Sequence, residues 1–188
     1  MEVKSLVKKP MDHFEKLEQN FERDSSLNPK VRALIGAATA NRFRNRNMLR
    51  LFITRAGENG ASDKDIAEAL TISALETSGT QLFWLKDIFD SLLSSEEGKP
   101  YHIFGDDGHG KKWISFQESV YEESSLDRKL KELITVTQAS FGRCPHCTKV
   151  HIMAAKKHGC SKEEIAEALI FSATVAARCD LNWFESNS

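Results

Sequence analysis

Ile165-Ala166-Glu167-Ala168-Leu169 repeats, residue for residue, the stretch Ile66-Ala67-Glu68-Ala69-Leu70 found 99 positions earlier. Sliding the chain over itself by that interval lays Phe14–Trp84 on Trp113–Trp183 without a gap, with roughly 21 identities over about 71 positions. Ser25-Ser26-Leu27 falls on Ser124-Ser125-Leu126, Leu34-Ile35 on Leu133-Ile134, Gly60 and Ser62 on Gly159 and Ser161, and Trp84 on Trp183. Shared helix-forming composition does not by itself hold glycine, serine and tryptophan in register, so the pattern reads as a duplication. The expected organisation is a first helical repeat over 1–93, a connecting loop over 94–112 marked by glycine and proline, and a second repeat over 113–188.

Each repeat reads as four helices. In the second, helices are expected over about 113–123 and 127–141, the latter with Leu130, Leu133, Ile134, Thr137 and Phe141 on one face. A third starts at Cys144, with Pro145 suited to a first helical turn, and stops at Gly159, a good helix-ending residue. Ser161 and Glu164 make a capping-box pattern for a fourth, whose inner face is Ile165, Ala168, Leu169, Ser172 and Ala176. The expected fold class is all-α: two tandem related helical repeats sharing a core.

Composition narrows the function classes. The 188 residues are 40% apolar and 28% charged, as in a soluble globular protein. A formal net charge of −1 gives no global pull toward nucleic acid or an acidic membrane, so neither is expected as a partner. The first residues carry no secretory apolar run, and no stretch has the length of a membrane-crossing helix, so a cytoplasmic location is expected. Four cysteines in a chain of this length do not make a disulfide scaffold. A cytosolic Cys-x-x-Cys reads instead as redox-active or metal-binding.

That pair opens the segment Cys144-Pro145-His146-Cys147-Thr148-Lys149-Val150-His151. On an ideal helix Cys144 and His151 both fall within about 60° of Cys147, so two thiols and an imidazole share one side. One helix earlier, Glu132 lies at the edge of the apolar face, where antiparallel packing would bring its carboxylate toward the Cys-x-x-Cys turn. Such a carboxylate can take a proton from a thiol, directly or through water. Helix-dipole reasoning favours Cys144 as the more acidic thiol, while the spacing to His151 favours Cys147. The first repeat supplies an internal control. It has Asn45 for Cys144, Asn47 for His146, Met48 for Cys147, Phe52 for His151 and Ala33 for Glu132, while the packing positions persist. The fold therefore does not need these groups.

The pattern of Glu132, twelve residues, Cys144-Pro145-His146-Cys147, three residues, His151 resembles the AhpD-like alkylhydroperoxidase signature of the carboxymuconolactone decarboxylase superfamily. The resemblance implies an all-helical homo-oligomer, a trimer for preference, that reduces organic hydroperoxides with thiols and no bound cofactor. Carried over by position, Cys147 would be the peroxidatic cysteine and Cys144 the resolving one, joined as a disulfide in turnover. Glu132 would accept the proton, helped by His151 and His146. A dithiol of the dihydrolipoamide or thioredoxin type would return the electrons. Decarboxylases of the superfamily generally lack the cysteine pair, though a decarboxylase-like protein with another substrate is the alternative. A thioredoxin fold would want a strand before the motif and a cis-proline loop after it, and no proline follows Pro145. A structural zinc site on Cys144, Cys147, His151 and a carboxylate would lack the second Cys/His pair of a usual cage.

Other features have plainer readings. Cys160 and Cys179 have no motif partner and read as packing thiols, and His158 as a solvated or packing histidine. Gly105–Lys112 nearly fits a phosphate-binding loop, but Lys112 stands where Ser or Thr is required, so a connecting loop is expected. The basic run Arg42-Phe43-Arg44-Asn45-Arg46 reads as a solvated turn or oligomer contact, with binding of an anionic substrate group a weaker reading. Trp84 and Trp183 are expected to pack the core or an interface.

Overall fold

The computed structural model describes residues 3–93, 108–123 and 125–187, and among these it forms nine helices and no strand. They are α1 (Val3–Leu6), α2 (Lys8–Arg23), α3 (Pro29–Arg42), α4 (Arg46–Glu58), α5 (Asp63–Leu93), α6 (Gly108–Glu122), α7 (Arg128–Phe141), α8 (Pro145–Lys157) and α9 (Lys162–Asn187). Most of the expected 94–112 connection lies outside the described residues, as do the first three residues of the loop resembling a phosphate-binding motif. Residues 108–112 are instead the first turn of α6.

The interval of 99 reappears in the backbone. The bounds of α7 and α8 lie 99 residues beyond those of α3 and α4, and α9 starts 99 residues after α5. Arg44 and Arg143 both take a positive φ, 53° and 51°, in the turns before α4 and α8. The termini follow the local rules. Asn28 and Asp127 cap α3 and α7 through their side chains. Ser161 and Glu164 bond each other's backbone N–H, as do Ser62 and Asp65. Gly159 turns the chain out of α8 at φ 89°.

The expectation of a single apolar face on α7 is corrected. Every residue from Lys131 to Ala139 is buried, because α3, α5, α8 and α9 surround the helix. The equivalent α3 is buried from Arg32 to Ala40 and packs against α4, α5, α7 and α9. Small residues allow this: a Cβ on Gly36 would lie 2.4 Å from the Phe52 ring. The two central helices meet at Thr39 and Gln138, where the Gln138 amide donates to the Thr39 hydroxyl at 3.3 Å with both side chains fully buried.

The long helices cross between halves, α5 packing on α7 and α9 on α3. The repeated glutamates do the joining. Glu68 of α5 accepts the backbone N–H groups of Ser125 and Leu126 at 2.9 and 3.0 Å, and Glu167 of α9 accepts those of Ser26, at 2.7 Å, and the Ser25 and Ser26 hydroxyls. The two stretches that repeat most clearly in the sequence therefore hold each other, each glutamate ending on the other half's Ser-Ser-Leu. Among the described residues no helix is long and apolar enough to cross a membrane.

Candidate active site

The turn before α8 places the thiols. Cys144 is the N-cap of α8, its Sγ accepting the Cys147 backbone N–H at 3.3 Å, the position that Asn45 fills on α4 by accepting from Met48. Both cysteines are buried, packed with Ala139 of α7 and Phe83 of α5. That close approach of α5 needs a glycine ahead of the motif, since a Cβ on Gly142 would sit 2.3 Å from Thr80.

Glu132 does not reach the Cys-x-x-Cys turn. In the antiparallel α7–α8 pair, Ala139 takes that place, and Glu132, two turns earlier, meets His151. Its Oε2 lies 3.1 Å from His151 Nδ1, while Oε1 accepts from Arg128 Nε and its terminal nitrogen at 2.8 and 2.6 Å. Glu132 is 1% exposed. Burial alone would raise its pKa, but the His151 hydrogen bond and the charges of His151 and Arg128 outweigh it and hold the carboxyl below its ordinary value. Arg128 is in turn stacked 4.0 Å over the Tyr121 ring.

A cavity of about 80 Å³ opens onto Cys147 and His151, walled by Phe83 and Gly79 of α5, Trp113 and Gln117 of α6, and His146 and Val150. His146 is exposed at its rim, its ring tilted against Phe83, apart from the Glu132–His151 pair. Burial pushes the Cys147 thiol up to about 12, reinforced by its hydrogen bond with Cys144 and by the negative charge available on Cys144 and Glu76. A thiol so placed needs a proton acceptor to react. Cys144 lines a separate and more open groove with Arg143, Lys149, Ile152 and Met153. The two thiols thus face different approaches.

Sequence reasoning found Glu132, Cys144, His146, Cys147 and His151, and of these the fold brings Cys147, His146 and His151 to one cavity, with Glu132 behind His151 and Cys144 beneath. It missed Arg128 and Glu76. Arg128 stands four residues before Glu132, a spacing that could have flagged it. Glu76, on α5 of the other half, carried no local signal. Among the described residues no three His, Cys, Asp or Glu side chains group to hold a metal ion.

Among the remaining features, Arg42 bears on the site through its charge on Glu76. Cys160 and Cys179 are core thiols pushed up to about 11, chiefly by burial. His158 is exposed. Arg42 donates to Thr77, and Asn45 bonds the Cys179 carbonyl, so the basic run closes onto α5 and α9. Trp84 and Trp183 are 60% and 67% exposed, which corrects any reading of them as core residues.

Residues 108–183, which hold the whole motif, match the model of the carboxymuconolactone decarboxylase family. Over 65 residues the chain is 31% identical to uncharacterized protein 4 of the cox locus of Paracoccus denitrificans, a match spanning 35% of this chain and 59% of that relative. The crystal structure of a Burkholderia xenovorans protein described as a gamma-carboxymuconolactone decarboxylase subunit superposes with a TM-score of 0.66. It covers 97% of this chain and 88% of its own at 19% identity, a likeness of fold.

Proposed function

We propose that the chain is a thiol-dependent peroxidase that reduces organic hydroperoxides through Cys147 and Cys144. The observation that carries this reading is the cavity in which buried Cys147 shares walls with His151, whose ring is held by buried Glu132, with a second thiol one helical turn away. The family includes both decarboxylases and peroxidases, and a decarboxylase has no use for a resolving thiol.

His151 takes the Cys147 proton, and Glu132 fixes the ring and offsets its charge. The thiolate attacks the terminal oxygen of R–O–O–H. An S–O bond forms, the O–O bond breaks, and the alkoxide leaves and is protonated to the alcohol, so Cys147 becomes a sulfenic acid. Cys144 sulfur then attacks that sulfur. The S–S bond forms and hydroxide departs with the Cys144 proton as water. A dithiol donor of the dihydrolipoamide or thioredoxin type exchanges with the disulfide and carries away the oxidising equivalents. Cys144 on the open groove is the sulfur such a donor reaches.

The half spanning 1–93 is read as a degenerate copy of the 113–188 unit that supplies one wall of the site. Exposed Trp84 and Trp183, at equivalent places on α5 and α9, suit burial in a homo-oligomer. Titration of thiols before and after one equivalent of cumene hydroperoxide tests the activity. Two thiols lost and one alcohol formed per chain are expected. Retention of both thiols defeats the peroxidase reading and leaves a decarboxylase-like activity on another substrate, with which the family match is compatible.

A further inference from the structure

His151 has a second carboxylate. Glu76 Oε1 lies 3.7 Å from His151 Nε2, the nitrogen opposite the one held by Glu132, and Glu76 lines the same cavity as Cys147. Its side chain is 6% exposed. The groups facing it come from every neighbouring helix: Arg42 of α3, Tyr121 of α6, Glu132 of α7, and His151 and Cys147 of α8. Two carboxyl groups on one imidazole thus have different surroundings. Glu132 is bonded twice by Arg128, whereas among the described residues Arg42 acts on Glu76 through its charge without an ion-pair contact.

The fold does not require a carboxyl here. At the matching place on α9 stands Val175, and around it Met48 and Phe52 take the places of Cys147 and His151. These three line an apolar cavity of about 390 Å³ in the other half. A carboxyl buried at this position costs stability that valine avoids, and it comes only at the site that also has the thiol and the imidazole.

Resting on the peroxidase reading, we propose that Glu76 is a catalytic acid, the group that hands the departing alkoxide its proton. Attack by the Cys147 thiolate breaks the O–O bond, and the alkoxide oxygen takes the Glu76 proton to become the alcohol. Glu76, now a carboxylate, recovers a proton from the imidazolium Nε2 beside it. The proton that left the Cys147 thiol is in this way the one the alcohol gains, and the cycle needs no other source. Burial supports the assignment: it pushes the Glu76 carboxyl up to about 7 against the charges of His151 and Arg42, so the group keeps a proton into the neutral range.

Single-turnover oxidation of Cys147 by two oxidants tests this in wild type and Glu76→Gln. Cumene hydroperoxide expels an alkoxide, which needs a proton; peracetic acid expels a carboxylate, which does not. Loss of the acid should slow the first by about 10²-fold or more and leave the second within about threefold. An equal fall with both oxidants assigns Glu76 to the fold or to thiol ionisation and overturns the proposal, and so does an unchanged rate with both. The ratio of the two rates is independent of how much variant is folded. Wild-type protein inert to both oxidants would instead defeat the peroxidase reading itself, and this inference with it.

Discussion

His151 Nδ1 lies 3.1 Å from Oε2 of Glu132, and this contact joins the helix that carries both thiols to the buried centre of α7. The ring cannot turn without breaking it, so the Nε2 edge stays toward the cavity of Cys147 and Glu76. Arg128 fixes the same carboxylate from its other oxygen. The proposed proton acceptor is thus oriented by two successive charged partners rather than by direct contact between carboxylate and thiol.

Glu132→Gln keeps the shape of the side chain and removes its charge. The rate of Cys147 oxidation in a single turnover, followed by stopped flow, should fall by about 10²-fold or more. Stability should fall by only about 1–3 kcal/mol, because Leu133 and Ile134 still fill the core. An unchanged rate would remove Glu132 from the proton path.

The two crossing glutamates should differ in weight. Glu68 accepts two backbone N–H groups and lies 3.3 Å from the buried Lys131 ammonium. Glu68→Ala leaves that ammonium with the Val120 and Glu123 carbonyls but without its counter-charge, and guanidinium unfolding should register a loss of about 3–5 kcal/mol. Glu167→Ala leaves Arg32 with the Leu27 carbonyl and Glu22, and should cost about 1–2 kcal/mol. Equal losses would contradict the account of how the halves are joined.

Much of this was legible in the sequence, for reasons that differ by residue. Helix ends were readable where a side chain acts on its own backbone, as at Ser161 and Glu164, or where φ is restricted, as at Pro145 and Gly159. The all-round burial of α7 was not, since Lys131, Glu132 and Gln138 look like a solvated face until α3 and α5 close over them. The role of Glu68 and Glu167 was visible as repetition but not as contact, because each acts on the opposite half. Glu76 was hidden for the same reason: it lies 75 residues from His151, and only the crossing of α5 onto α7 and α8 brings it there.

Glu76 also predicts a pH dependence of stability. Its folded pKa, about 7, is above the ordinary 4.5, so the folded state binds more protons than the unfolded one between these values. The contribution is fully present below about pH 4.5 and is lost as pH rises through about 7. The stability difference, wild type minus Glu76→Gln, should therefore fall across that window by up to about 3 kcal/mol and be flat above it. A difference that rises with pH, or does not change, would show that the carboxyl is ionised in the fold.

Trapping the first oxidised species tests the central claim most directly. Cys144→Ser, treated with one equivalent of cumene hydroperoxide in the presence of dimedone, should carry a single dimedone adduct on Cys147 by peptide mass spectrometry, and Cys147→Ser should carry none. An adduct on Cys144 in the Cys147→Ser protein, or no adduct in either variant, would contradict the assignment of Cys147 as the sulfur that meets the peroxide.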